Sequence, residues 1–144
     1  MKSLACKSWR IQCLEIVVCK EKYLLINSYF PNDSRGINDD CEELEDCLAE
    51  ISSLIQTNIA SHYFLLGDLN ADFLRNSSHV TCVKTFLVRH KMFSVWEDFT
   101  VDFTYSFEAE NGTSYIKTLD HIATLERSRA NITMAGVIHH VENL

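Results

Sequence analysis

The sequence predicts an α/β domain of the α+β kind, with two mixed β-sheets packed together and helices outside. Two observations predict it. The apolar patterning reads in the order β-β-α-β-α-β-β-β, without the regular β-α-β alternation of a parallel doubly wound sheet. At 144 residues and 47% hydrophobic content, the chain can bury a core between layers. One domain, residues 1–144, is expected, since no repeat, low-complexity tract or linker divides it.

Ile11 to Val18 is β-branched and apolar on both faces, interrupted by Glu15, and reads as a buried strand. Lys20, Glu21 and Lys22 make a charged turn. Tyr23 to Phe30 is a second strand, close enough to form an antiparallel hairpin with the first. The chain's one proline, Pro31, stops it. A helix is predicted over Asn38 to Asn58. Cys41, Leu44, Leu48, Ile51 and Ile55 give it one apolar stripe, and Asp39 with Glu42 resembles a capping pair. Asp40, Glu42 and Glu43 favour the positive helix start and form a solvated face.

Tyr63-Phe64-Leu65-Leu66 is a buried strand that turns polar at Gly67-Asp68-Leu69-Asn70. Continued as a strand, it would point Asp68 and Asn70 to one side and Leu69 inward. A carboxylate and a carboxamide at a strand mouth suit a metal or phosphate site. The same residues are also ordinary turn formers.

Ser78 to Lys91 reads as a shorter helix on Val80, Val83 and Leu87. Phe99, Val101, Phe103, Tyr105 and Phe107 alternate with polar residues, as in a strand with one buried face; base stacking is the rival use of such a stripe. Asn111-Gly112 makes a hairpin turn. Leu119 to Leu125 and Ile132 to Ile138 are two further strands.

The net charge of −7 gives no support for tight, charge-driven nucleic-acid binding. An acidic chain can still cut nucleic acid where a metal holds the contact. None of the six cysteines forms a Cys-x-x-Cys pair, and no disulfide partner is expected. They read as reduced thiols of an intracellular protein, nuclear or cytoplasmic. Lys2, Lys7 and Arg10 break up any signal peptide, so secretion is not expected. Lys20 to Lys22 interrupt the long apolar region, so no membrane partner is expected. Four Asn-x-Ser/Thr triplets are idle without secretion.

Polar residues that could carry chemistry sit at strand ends: Tyr29 and Asn32, Asp68 and Asn70, Thr104 with Tyr105, and Asp120 before His121. There is no Ser-His-Asp arrangement, no Gly-rich phosphate loop and no cysteine nucleophile. Asp68, Asn70 and Asp72 match the start of a calcium loop, but its sixth and twelfth positions hold Phe73 and His79. The six histidines lack zinc spacing and read as surface or satisfied core residues, the adjacent His139 and His140 included.

Three ordered pieces now resemble a known family: Asn27-Ser28-Tyr29-Phe30-Pro31, then Leu65-Leu66-Gly67-Asp68-Leu69-Asn70, then Leu119-Asp120-His121. They resemble the endonuclease/exonuclease/phosphatase superfamily, and within it the apurinic-like endonuclease domain of non-LTR retrotransposons. The resemblance runs from about Cys13 onward. It implies a DNase I-like four-layer α/β sandwich and a phosphodiester hydrolase using Mg²⁺ or Mn²⁺. By resemblance, Asp68 activates the attacking water, Asn70 holds that water or a phosphate oxygen, and both touch the metal. Tyr29 would contact the scissile phosphate, Asn32 the nucleic-acid backbone, and Asp120 would orient a histidine. DNA is the implied substrate, and a reverse transcriptase module in a parent polyprotein a possible partner.

The family's metal-binding glutamate and its closing Ser-Asp-His have no counterpart in this chain. The resemblance therefore implies a partial sandwich, truncated at both ends, with weak or no activity by itself. Loss of strands would also leave an apolar sheet face uncovered. A non-catalytic binding domain and a phosphatase of the same superfamily are the rival readings.

Overall fold

Residues Ile11–Val18 (β2) and Glu21–Ser28 (β3) form the antiparallel hairpin that their short connection predicts, in register from Ile11 opposite Ser28 to Val18 opposite Glu21. The computed structural model of the chain describes residues 1–32, 41–98, 106–108, 114–116 and 119–135, the two three-residue pieces by backbone alone. The remaining elements are β1 (Lys2–Leu4), α1 (Glu42–Thr57), β4 (His62–Asp68), α2 (Ser78–Arg89), β5 (Met92–Ser94), β6 (Ser106–Glu108), β7 (Ser114–Ile116) and β8 (Asp120–Leu125).

Six strands make one mixed sheet in the order β1-β2-β3-β4-β8-β5; β6 and β7 make a separate antiparallel pair. Among the described strands only β3 and β4 run parallel, joined through α1 as a crossover helix requires. The fold class is thus α/β, with a mixed sheet carrying helices.

The pleat sorts each strand into two faces. Ile11, Cys13, Leu24, Ile26, Tyr63, Leu65 and Ala123 share the face that joins one core with Leu44, Leu48 and Ile51 of α1 and Val80, Val83 and Leu87 of α2. Burial pushes the Cys13 thiol up to about 11, so it packs as a small hydrophobe. On the opposite face Leu14, Leu25, Phe64 and Leu66 are only half-buried and Ile122 is exposed.

Several expectations change. In α1, Cys47 and Leu54 are buried with Leu44, Leu48 and Ile51, and Cys41 is the N-cap, without a side-chain capping bond. Asp39 of the expected capping pair lies outside the described residues. α2 is capped by Ser77, whose hydroxyl accepts from the Val80 N–H at 3.2 Å. Residues 132–135, expected to open a strand, have none; a 3-10 helix, Glu126–Asn131, follows β8 instead. Arg129 fixes that helix by ion pairs to Glu97, Asp98 and Glu126 and by lying 4.1 Å over the Phe93 ring. Asn111-Gly112 and most of the aromatic stripe from Phe99 lie outside the described residues.

Candidate functional site

Two carboxylates meet at one end of the sheet. Asp68 closes β4 and Asp120 opens β8, and the antiparallel register sets them opposite each other. Their side chains share the face that the helices leave open, with Ile122 and Leu66 behind them. The third strand end comes from β3: the Phe30 N–H donates to the Asp68 carbonyl at 2.9 Å. Gly67 makes this approach possible. Its φ is +120°, and a Cβ there would stand 2.2 Å from the Ser28 carbonyl oxygen.

The chain then turns. The strand ends at Asp68, and Asn70 is left-handed, with φ +48°. Asn70 therefore does not share a face with Asp68 through strand alternation. Two hydrogen bonds place it instead: its N–H donates to Asp68 Oδ1 at 2.9 Å, and its Nδ2 donates to the Phe30 carbonyl at 2.7 Å. Leu69 is fully buried, as expected. Turn chemistry and a polar strand mouth are thus the same residues. The bond to Phe30 also ties the Asp68 loop to the strand end that carries Tyr29.

Asp68 is half-buried, and burial raises its pKa above the ordinary carboxylate range. The Asn70 N–H opposes that rise, the Asp120 charge adds to it, and His121 opposes it. Asp120 itself is exposed.

Tyr29 is exposed beyond β3; its N–H donates to the Arg10 carbonyl at 2.9 Å, and its ring lies 6.4 Å from that of Trp9. Asn32 is exposed, two residues beyond Phe30. Thr104 and Tyr105, and His139 and His140, lie outside the described residues. Asp72 caps its own loop, accepting from the Leu74 N–H at 3.1 Å and pairing with Arg75 at 3.4 Å, so it does not continue a calcium loop.

His121, next to Asp120, is a buried core residue. Its Nε2 lies 2.7 Å from the Ala71 carbonyl, which fixes the proton on that nitrogen, and its ring stacks on Phe73 at 4.2 Å. His79 is buried likewise, with Nε2 3.2 Å from the Leu69 carbonyl. Among the described residues no three His, Cys, Asp or Glu side chains gather as a metal cage. None of their helices is long and apolar enough to cross a membrane.

The neighbourhood of Trp9 and Arg10 carries no signal in the sequence, because it is a loop without periodicity. It borders Tyr29 only through the β2–β3 register.

No protein-family model and no curated protein matches the sequence. Solved structures do match the fold. One is the endonuclease domain of TRAS1, a telomere-specific non-LTR retrotransposon: TM-score 0.64, 16% identity, 82% of this chain and 51% of that one. Another is the AP endonuclease LMAP from Leishmania major, with TM-score 0.60, 14% identity, 84% of this chain and 47% of that one. A third is an endonuclease/exonuclease/phosphatase family protein from Bacteroides thetaiotaomicron, with TM-score 0.54, 13% identity, 81% of this chain and 40% of that one. The chain spans about half the length of the first two structures. It therefore has the DNase I-like α/β fold of the endonuclease/exonuclease/phosphatase proteins, over about half of its extent.

Proposed function

We propose that this chain carries the site of a divalent-metal-dependent phosphodiester hydrolase that nicks DNA. The observation that carries the proposal is the pairing of Asp68, half-buried and of raised pKa, with the exposed Asp120. Two carboxylates so placed repel each other and are eased by a cation. Likeness to two nuclease structures favours DNA over another phosphoester.

The donors fit Mg²⁺ or Mn²⁺. Asp68 keeps one oxygen outside its bond from the Asn70 N–H, and Asp120 stands beside it with its carboxylate exposed. Mg²⁺ uses one or two carboxylates and completes its shell with water and substrate phosphate. Asp68, with Asp120 and the Asn70 carboxamide oxygen, would hold the ion. Bound there, it would neutralise the phosphate and make its own water more acidic.

The side chains supply the rest. Asp68 takes the proton of the attacking water as the water oxygen bonds to phosphorus and the bond to the leaving oxygen breaks, the leaving oxygen taking a proton from solvent. Asn70 orients that water, its amide nitrogen being fixed by the Phe30 carbonyl. Tyr29 donates its hydroxyl to a phosphate oxygen, and Asn32 contacts the nucleic-acid backbone.

The test is nicking of supercoiled plasmid with Mg²⁺ by the 144-residue chain at high concentration. Weak nicking is expected, reduced at least about 100-fold in Asp68→Ala and about tenfold in Tyr29→Phe. Nicking that survives Asp68→Ala overturns the site assignment. A chain that neither nicks nor gains thermal stability from Mg²⁺ overturns the functional reading.

A further inference from the structure

Trp9 is 76% exposed and Tyr29 45% exposed, an unusual outlay of aromatic surface at one edge of a folded chain. Arg10 packs against both. Its guanidinium carbon is 4.5 Å from the Trp9 ring centroid and 5.4 Å from that of Tyr29. Arg10 is held in place, with Nε donating to Glu43 at 2.7 Å and Nη1 to the Tyr29 carbonyl at 3.4 Å. The three side chains therefore form an ordered triangular cluster, with the guanidinium packed on both rings and the rings tilted 41° to each other. Arg10 takes one side of the indole and leaves the rest of that ring in water.

The cluster lies at the same end of the sheet as the carboxylates. Arg10 binds the Tyr29 N–H through its carbonyl, and the next residue, Phe30, donates to Asp68. The backbones of β2, β3 and β4 are thus neighbours here, which puts the backbone of Arg10 about 10 Å from that of Asp68, roughly the span of three stacked bases. The charge of Arg10 is largely satisfied by Glu43, and the chain is acidic, with net charge −7. Electrostatic capture of a polyanion is weak under these conditions, so recognition must come from a contact that needs no net charge. Stacking on an indole is such a contact, and every nucleobase offers a π-face for it.

We propose that Trp9, backed by Arg10 and Tyr29, is a stacking platform for an unpaired nucleobase of the strand whose phosphate enters the Asp68 site. This rests on the phosphodiesterase reading and deepens it: the substrate is a nucleic-acid strand with at least one base out of the duplex stack near the scissile bond. Trp9 binds the base, and Arg10 and Tyr29 are positioning residues for the indole. A base reached in this way is read by its face and not by its edges, so the site discriminates little between base types.

The test uses the whole chain without metal and follows tryptophan fluorescence and the anisotropy of a short labelled single-stranded oligonucleotide. The base-bearing strand should quench fluorescence. Trp9→Ala should weaken its binding about tenfold, while Trp9→Phe, which keeps a π-face, retains most of the affinity. A strand of equal length made of abasic residues should bind wild type and Trp9→Ala alike. The fold-loss should be equal at low and high salt, unlike a phosphate contact. Trp9 is exposed, so circular dichroism of the variant should match wild type.

Equal affinity of wild type and Trp9→Ala for the base-bearing strand overturns the proposal, as does an absence of any binding. The two readings fail separately. If Asp68→Ala leaves nicking intact while Trp9→Ala still loses the base, only the hydrolase assignment falls. If nicking depends on Asp68 and Trp9→Ala changes nothing, only the platform falls.

Discussion

Asp68 is the residue at which this fold stores an electrostatic penalty. Its folded-state pKa lies above the ordinary value, first through burial and then, against the Asn70 N–H, through Asp120. The folded chain thus holds that proton more tightly than the unfolded chain does. The contribution to stability is full in acid, below the unfolded value, and is lost as pH rises through the raised one. Asp68→Asn, which keeps an acceptor for the Asn70 N–H, should melt higher than wild type at neutral pH and no higher in acid. Calorimetry across that range checks it; equal melting temperatures at neutral pH would contradict the burial argument. Asp68 and Asp120 were legible in the sequence because each stands at the boundary of an apolar run. The left-handed turn at Asn70 was not, since a Gly-Asp-Leu-Asn segment serves a strand end and a turn equally well.

At the scale of elements, Gly67 and Ser77 hold the site's supports in place. A methyl group at Gly67 would collide with the backbone of Ser28 in a conformation that side chains rarely adopt. Gly67→Ala should cost about 2–4 kcal/mol in denaturant unfolding. Loss of the α2 cap in Ser77→Ala should cost about 1 kcal/mol. Long elements with strong patterning were readable: β2 matches its expected bounds, and β3, β4 and β8 lie within two residues of theirs. β1 and β5 were missed because three residues cannot display a period. The strand expected to begin at Ile132 gives way to residues 132–135 without strand pairing, after a 3-10 helix held by Arg129. Arg129 also pairs with Asp98 and Glu97, 31 and 32 residues away, and no local propensity reports those ties.

Among the described residues the six-stranded sheet has one face sealed by two helices and the other half open. Adjacent residues of β4 should report the difference. Leu65 is fully buried among the helices, so Leu65→Ala should lose about 3 kcal/mol; Leu66, half-buried opposite, should lose about 1 kcal/mol or less. Similar losses at both positions would mean that the open face is packed as tightly as the sealed one. The open face also bears Asp68 and Asp120, so the chemistry proposed here lies where the helices do not reach.

The central claim is that these two carboxylates form one cation-binding unit. Carbon-13 NMR of the aspartate carboxyl groups during a Mg²⁺ titration tests it most directly. The account predicts that Asp68 and Asp120 shift together and saturate together, and that Asp68 then titrates at a lower pH than it does without metal. Independent shifts, or none at either residue, would contradict it.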